Sequence, residues 1–423
     1  MNFEKVRHFI RSKKARDFLI YGFGQAVNLI SPIIIVPFVI MICGEAGLGK
    51  IGVGFSLAIL VNVWVDYGSY INGTREIATH VDQHDCLEER FLTIYGAKFI
   101  LLCLFLVLAV LLIFTVPFFR SDYTQLLLSL VMVVGQFVNP TWFLQGVQNF
   151  VWITLINVIS RGIYILTVIL FVAQPEDYQY VNMWNGVGLI IPSLFGVVYI
   201  LRHHKINVRN FQLRRSITLL REEFSLTLSQ VFFAAYQFTP VMIVSYYCGN
   251  FVAGQYRVIE HIVMIFRTYL QTFYNFIYPE ICKQIDKSQP SGIRFWFRVN
   301  GINYFIVVIM LTGIFFNTAP ILRFFKVTPA EVQLLSGNFK LGLVIPVLLG
   351  LTFAVRQLLF AFNSSYYYVR ITILATITYL ILMIFLLQKM GLAGAFVATI
   401  IIELFIIISY FVILKKMEAI KSI

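Results

Sequence analysis

The sequence predicts an all-α integral membrane protein with twelve transmembrane helices, arranged as two lobes of six helices each. Of its 423 residues, 59% are hydrophobic and only 13% are charged, and the mean hydropathy is +0.82. No soluble domain offers so little polar surface to water, and apolar segments of about 20 residues recur along the whole chain. The two halves also share a residue pattern, which predicts lobes related by a pseudo-two-fold axis along the membrane normal.

The twelve predicted spans follow from runs of apolar residues long enough to cross the hydrocarbon core. They lie at about 17–43, 50–72, 91–119, 124–143, 150–172, 180–201, 223–247, 251–279, 296–319, 332–362, 369–388 and 391–414. Of the 33 Lys and Arg residues, 22 lie in the connections on one side of the membrane and five on the other. Because basic connections stay in the cytoplasm, both termini are predicted to be cytoplasmic.

The longest basic connection divides the chain into two halves. It predicts an N-terminal lobe at 1–201, a basic cytoplasmic linker at 202–222 and a C-terminal lobe at 223–423. The net charge of +13 is concentrated in such connections, including a basic run from Lys5 to Arg16. Attraction to anionic lipid headgroups therefore explains the charge better than nucleic-acid binding does.

A duplication is visible in short matching motifs. Cys43-Gly44 closes the first span, and Cys248-Gly249 closes the seventh, 205 residues later. Because each half begins and ends in the cytoplasm, the two copies are predicted to have parallel topology.

Six basic residues lie inside predicted spans and away from the span ends, where each costs about 2.5–3.5 kcal/mol at a helix centre. They are Lys98, Arg161, Arg257, Arg267, Lys340 and Arg356. Only Glu260 and Glu403 lie at comparable depth with the opposite charge. Intramembrane charges usually face a bundle interior or a watery cavity, so this excess predicts a path for an anion.

Several motifs are similar to those of one transporter superfamily. The first span contains Tyr-Gly-Phe-Gly-Gln-Ala-Val-Asn at 21–28, and the second ends in Asp-Tyr-Gly at 66–68, followed by Thr-Arg-Glu at 74–76. The eighth span contains Gly-Gln-Tyr at 254–256, then Glu260, and it ends in Tyr-Pro at 278–279. The chain resembles the MOP exporter superfamily, and within it the polysaccharide flippases that move lipid-linked O-antigen or capsule repeat units. Met41 and His261 depart from the family pattern, which has Arg and Lys there.

This resemblance implies a MATE-like and MurJ-like fold in the bacterial inner membrane. It implies a flippase that moves undecaprenyl-diphosphate-linked oligosaccharide from the cytoplasmic to the outer leaflet by alternating access, and not an enzyme. The expected partners are the lipid-linked oligosaccharide, anionic lipids and polysaccharide polymerase machinery. We expect no nucleic acid, cofactor or metal.

The eighth span is predicted to form one wall of the path. Arg257, Glu260 and Arg267 fall on one polar stripe of this helix, and two guanidinium groups about 15 Å apart along the axis could bind a diphosphate in turn. Alternatively, Glu260 pairs with Arg257 one turn away and the two only hold helices together.

Further candidates lie on other spans. Arg161 and Arg356 are predicted to bind phosphate, and Lys98 either does so or extends to the headgroups. Gln25 and Asn28 could bind sugar hydroxyls, although hydrogen bonds between helices explain them equally well. For coupling or gating we predict Asp66, Arg75 and Glu260, with structural ion pairs as the alternative.

Two other functions are open at this point. A cation-coupled multidrug exporter of the same superfamily would need acidic residues in its cavity, whereas the excess here is positive. A membrane glycan polymerase or ligase would need a large outer loop with catalytic groups, and the longest predicted outer loop has around a dozen residues.

Overall fold

The chain is helical throughout the part that the computed structural model describes. Residues 13–362 and 364–416 are described, so the basic run before Lys13 lies outside them. In these ranges no strand occurs, and ten helices are long and apolar enough to cross a membrane. This confirms the prediction of an all-α membrane protein.

The chain divides into two compact units, Met1–Ala234 and Ala235–Ile423. From Lys13 onward, where its description begins, the first unit contains ten α-helices and the start of an eleventh that continues into the second. They are α1 (Lys13–Asp66), α2 (Thr74–Thr79), α3 (His84–Thr115), α4 (Pro117–Arg120), α5 (Tyr123–Ser129), α6 (Val131–Val138), α7 (Thr141–Gly146), α8 (Phe150–Phe171), α9 (Tyr178–His203), α10 (Leu213–Glu222) and α11 (Phe224–Lys287). A π-helical turn at Ser69–Gly73 connects α1 to α2.

In its described part, 235–362 and 364–416, the second unit contains most of α11 and six further α-helices. They are α12 (Gln289–Phe316), α13 (Thr318–Phe324), α14 (Val332–Gly342), α15 (Val344–Ala361), α16 (Ser365–Met390) and α17 (Leu392–Lys416). The turn between α16 and α17 consists of Gly391 alone, at φ 57°. The sequence had placed this division at Gln388–Met390, but those residues complete the last turn of α16.

Two glycines break the long helices at corresponding places. Gly44 in α1 has φ 69° and ψ 177°, and Gly249 in α11 has φ 85° and ψ 167°. This combination of angles is essentially confined to glycine, since a Cβ atom strains it. The breaks divide the 45-residue span Gly22–Asp66 and the 58-residue span Gln230–Lys287 into two each, so the ten candidate spans become the twelve predicted. Where we predicted loops after Cys43 and Cys248, the helix resumes after one residue.

We expect Gly44→Ala to destabilise the protein by about 1–3 kcal/mol, because alanine at this backbone conformation is strained. A matched control is Gly162→Ala in α8, since a Cβ at either glycine would have no neighbour within 4 Å. Gly162 is helical, so its substitution should be neutral or stabilising. Melting temperatures of the purified full-length variants measure the difference, and equal values for the two variants would contradict the explanation.

Two predicted spans are interrupted by proline. The span predicted at 124–143 consists of α5, α6 and α7. The break between α6 and α7 occurs because Pro140 forces Asn139 into an extended conformation (φ −62°, ψ 113°). The span predicted at 332–362 is divided between α14 and α15 at Leu343. Pro346 lacks the N–H that would bind the carbonyl of Gly342 four residues earlier, so the helix breaks there.

The basic linker at 202–222 packs against other helices of the first unit. Ser216 Oγ in α10 donates to the Thr93 carbonyl of α3 (2.9 Å), and Leu219 is buried in the same hydrophobic cluster as Phe91. Burial, together with the neighbouring His203 and His84, lowers the pKa of His204 below its usual range. The linker is thus a folded surface of this unit.

Candidate functional site

In the first unit, Arg161 is a cation held between two neutral side chains. It lies in the middle of α8, whose first turn is capped by Asn149 accepting from the Trp152 N–H. Its Nε donates to Asn28 Oδ1 of α1 (2.8 Å) and its Nη1 to Asn185 Oδ1 of α9 (3.0 Å). Among the described residues no carboxylate lies within ion-pair distance of it. The amides fix the guanidinium without neutralising its charge.

Lys98, by contrast, has a counter-ion. Its Nζ lies 2.9 Å from Asp66 Oδ1, which also accepts from Ser69 Oγ (2.9 Å). The Lys98 side chain is 2% exposed. This pair links α3 to the end of α1 and matches the structural alternative, while substrate binding by Lys98 and coupling by Asp66 stay predictions.

We expect Asp66→Asn to destabilise the protein by about 3 kcal/mol, because it leaves the buried Lys98 ammonium without its counter-ion. Adding Lys98→Met should restore most of the lost stability, since the double variant buries no unpaired charge. Thermal unfolding of the three purified proteins measures both effects. If the double variant were as unstable as the single one, the ion pair would not be the cause.

In the second unit, α11 carries one ion pair between neighbouring turns. Arg257 Nη1 lies 2.6 Å from Glu260 Oε2, and Arg257 is 6% exposed. The local pairing expected for this helix is therefore present. Two roles stay predictions: that Arg257 also binds substrate, and that Glu260 also takes part in coupling.

Arg267, ten residues further along α11, faces a small cavity. The cavity measures about 30 Å³, and Tyr236, Tyr256, Glu260 and Tyr379 line it together with Arg267. The Nε atom of Arg267 is buried and has no hydrogen-bond partner, and the described residues provide no ion pair for this side chain. A half-buried guanidinium that lines a cavity and has no carboxylate partner is suited to bind an oxyanion.

Arg356 in α15 is held by aromatic rings. Its Cζ lies 4.4 Å from the ring centre of Phe353 and 5.8 Å from that of Tyr368. These contacts leave the guanidinium charged. Lys340, in contrast, is exposed over the ring of Phe315 (4.9 Å), as expected for a lysine that reaches the membrane surface.

The remaining candidates lie nearer the surface. Arg75 is exposed on α2, and Gln25 is half-buried on α1. Asn28, predicted to bind a sugar or a neighbouring helix, accepts the hydrogen bond from Arg161. The structure thus joins Asn28 to Arg161 and Lys98 to Asp66.

The cations inside the predicted spans therefore fall into two groups. Within the described residues, Lys98 and Arg257 form ion pairs with carboxylates, whereas Arg161, Arg267 and Arg356 form none. Each unit retains at least one buried or half-buried positive charge. Such a charge is costly in a membrane protein and can bind an anion.

Comparison with known proteins gives the family. Residues 15–284, more than half of the chain, match the family described as polysaccharide biosynthesis protein. The chain belongs to this family. Together with the relatives and solved structures described next, this family indicates a membrane transporter rather than an enzyme, as the sequence predicted.

Relatives and solved structures agree with this assignment. Proteins of Escherichia coli (strain K12) and Shigella dysenteriae, each named "Putative O-antigen transporter", are 19% and 20% identical over 66% of this chain and 67% and 69% of their own lengths. The lipid II flippase MurJ in an inward closed conformation superposes with a TM-score of 0.67 at 13% identity, over 94% of this chain and 87% of its own. An inward-facing MATE multidrug resistance transporter of the MOP superfamily gives a TM-score of 0.65 at 13% identity, over 95% of this chain and 98% of its own. The predicted MOP fold is confirmed.

Sequence reasoning missed two polar groups of this polysaccharide biosynthesis protein. Asn185, the second amide on Arg161, was overlooked although an asparagine inside a span is itself a signal. Glu403 was noted only for its charge; its Oε1 accepts from Tyr236 Oη (2.6 Å) and its Oε2 from Thr352 Oγ1 (2.7 Å). Tyr236 lies 167 residues away, so no local pattern could reveal this contact.

Proposed function

We propose that the protein is a flippase that moves undecaprenyl-diphosphate-linked oligosaccharide from the cytoplasmic to the outer leaflet of the bacterial inner membrane. The observation that carries the proposal is that each unit has a guanidinium group inside a predicted span, Arg161 in the first and Arg267 in the second, that lacks a carboxylate partner within the described residues. The names of the O-antigen relatives and of the lipid II flippase support it.

The chemistry of the substrate fits these side chains. A diphosphate presents several oxygens to the forked donors of arginine, and each charge-assisted contact is about twice as strong as a neutral hydrogen bond. Arg267 lines a cavity and forms no ion pair within the described residues, so its guanidinium is available for such an oxygen. The cavity of about 30 Å³ has room for water rather than a sugar, so the sugars need a larger hydrated space that opens during transport.

The charges argue against a multidrug exporter of cations. Such a protein needs carboxylates that are free to bind its cargo, but Asp66 and Glu260 are paired with Lys98 and Arg257. Both oxygens of Glu403 already accept hydrogen bonds, from Tyr236 and Thr352. Asp66, Glu260 and the exposed Arg75 are proposed instead to act in coupling or gating, through ion pairs that change during alternating access.

The linker surface supports contact with anionic lipids on the cytoplasmic side. It combines exposed apolar side chains with exposed basic ones, a pattern typical of interfacial segments. The apolar ones are Val208, Phe211, Leu213 and Ile217, and the basic ones are Arg202, Lys205, Arg209, Arg214 and Arg221. Both termini are cytoplasmic in this arrangement, and polysaccharide polymerase machinery would receive the product at the outer face.

The function is tested by transport in reconstituted vesicles that contain a fluorescently labelled undecaprenyl-diphosphate oligosaccharide. We expect the protein to expose the label to a membrane-impermeant quencher faster than empty vesicles do, and faster still when the vesicles contain anionic lipid. A strain of the native bacterium from which the gene for this protein has been deleted should accumulate this class of lipid-linked oligosaccharide. Rates equal to those of empty vesicles, with no accumulation in the strain, would refute the flippase proposal.

A further inference from the structure

Three histidines of the first unit meet where the linker leaves α9. His203 ends α9 and His204 follows it, and the centres of their rings are 5.0 Å apart. His84, at the start of α3, reaches the same place, since its Nε2 lies 2.6 Å from the carbonyl oxygen of His204. A carbonyl oxygen only accepts, so this Nε2 carries a hydrogen and donates it. We call His84, His203 and His204 the histidine cluster.

The ring of His204 is packed in a way that suits its neutral form. It is half-buried and meets the fully buried ring of Phe143 edge to face, at 5.2 Å between ring centres. Burial and the two neighbouring histidines lower the pKa of His204 below its ordinary value. Arg202 and Lys205, both exposed, add two fixed positive charges to the same stretch of chain. Protonation of His204 therefore places a charge against an apolar ring in a segment that is already positive.

The turn at 204–211 is held on α3 by few contacts besides the histidine cluster. Glu88 accepts from the Asn207 N–H (2.9 Å) and from Asn210 Nδ2 (2.5 Å). Ile206 is buried in the same hydrophobic cluster as Phe143. The packing of His204 is thus a substantial part of what keeps this turn in place.

The backbone of the turn is strained at one residue. Lys205 has φ 48°, which is unfavourable for a residue with a side chain. The N–H of Ile206 donates to the Leu201 carbonyl across it (3.0 Å). A strained conformation persists only while the surrounding contacts hold it. A turn that loses the packing of His204 can relax this strain by leaving α3.

The direction of the pH effect follows from where His204 is more easily protonated. Once released, its ring titrates near the ordinary value of about 6.5, whereas the contacts on the first unit lower its pKa. The bound turn is therefore favoured above about pH 6.5 and loses stability as the pH falls below that value. The equilibrium for binding of the turn changes by up to about tenfold per pH unit for one such histidine.

Other charged groups face the cluster, and their effect on this equilibrium differs. Asp85 lies 3.6 Å from His84 Nδ1 but follows it on α3, so its attraction to a charged His84 is the same whether the turn is bound or released. The remaining charged and titratable neighbours are Arg202 from α9, Lys205 from the turn, Glu88 and Glu89 from α3, and Glu76, His80 and Arg90, which line the open cavity beside His84.

We propose that the histidine cluster is a pH-sensitive switch that holds the turn at 204–211 on the first unit at neutral pH and releases it when this face of the protein becomes acidic. The switch does not depend on the proposed function. The turn contains Val208, Arg209 and Phe211, which belong to the surface that we propose contacts anionic lipid. The switch therefore sets how much of that surface is free to move.

The test is hydrogen–deuterium exchange of the full-length protein in detergent, at pH values between about 7.5 and 5. Labelling times are scaled for the intrinsic pH dependence of amide exchange. We expect protection of the amides of 204–211 to fall about tenfold or more, with a midpoint between about pH 5 and 6.5. Peptides from the middle of α8 are the internal reference and should keep their protection.

Variants identify the histidines as the cause. His204→Phe keeps a ring against Phe143 but cannot be protonated, and His84→Gln keeps a donor for the carbonyl of residue 204. The double variant should retain its protection at low pH. The matched control is His80→Gln on α2, since His80 Nδ1 contacts the carbonyl oxygen of Glu76 (3.0 Å) rather than the linker, and this variant should respond as wild type.

Each outcome supports or overturns the switch. Constant protection of the wild-type turn over this pH range would overturn it, as would equal release in the double variant. A loss that begins only below about pH 4.5, where carboxyl groups titrate, would assign the release to Glu88 and also overturn the switch, without the need for a variant. No ligand is added in this experiment, so its failure leaves the flippase proposal untouched.

Discussion

Arg267→Ala is expected to abolish transport while leaving the protein folded in the membrane. Truncating one partner of a desolvated, charge-assisted contact costs several kcal/mol, so affinity for an isoprenoid diphosphate should fall about 100-fold. Stability should be kept or slightly increased, because the Nε of Arg267 is already buried without a hydrogen-bond partner. The measurements are quencher exposure in vesicles, ligand affinity and melting temperature.

Two further variants separate charge from geometry at this position. Arg267→Lys keeps the positive charge but loses the forked donors of the guanidinium group, so it should retain part of the affinity for the isoprenoid diphosphate. Lys340→Ala removes a cation of the same unit that is exposed over Phe315, and it should transport as wild type. Full transport by Arg267→Ala, or the same loss in Lys340→Ala, would show that no specific anion site exists at Arg267.

Arg161→Ala is expected to have the second large effect, also on transport rather than folding. The substitution removes a half-buried positive charge and leaves the amides of Asn28 and Asn185, which can hydrogen-bond each other or water. We expect transport to fall about 100-fold by loss of charge-assisted phosphate contacts. Initial rates in vesicles, corrected for the amount of reconstituted protein, measure the effect.

The control for Arg161 lies in the same unit. Arg120→Ala removes an exposed arginine at the end of α4 and should leave the rate unchanged. Asn185→Ala should lower the transport rate less than Arg161→Ala does, because it removes one hydrogen-bond partner of the guanidinium group but not its charge. A larger loss in Asn185→Ala than in Arg161→Ala would indicate that the amides, and not the cation, bind the substrate.

Much of the fold could be predicted because hydropathy and backbone rules act locally. The number of spans and the places of the breaks at Gly44 and Gly249 follow from runs of apolar residues and from the need for glycine at positive φ. The interruption before Pro140 was missed, although the restriction on a residue before proline is also local. That error came from treating a run of apolar residues as one helix.

The candidate site could be predicted as a set of residue types but not as a set of contacts. That the spans contain an excess of cations is a property of the sequence alone. Which cations are neutralised depends on partners such as Asp66 for Lys98, 32 residues away, and these are set by how helices pack. Only the Arg257–Glu260 pair, three residues apart on one helix, was within reach of sequence reasoning.

The sequence by itself determined the twelve apolar segments, the repeated glycine breaks and the positive character of the interior, because these depend on each residue and its near neighbours. The tertiary structure alone decided that Arg161 contacts amides, that Lys98 is paired, and that Glu403 meets hydroxyls from two other helices. In a membrane interior, a charge is tolerated or available for binding according to what lies within a few ångströms of it. Those neighbours come from distant parts of the chain, so the helix packing decides the chemistry of each charge.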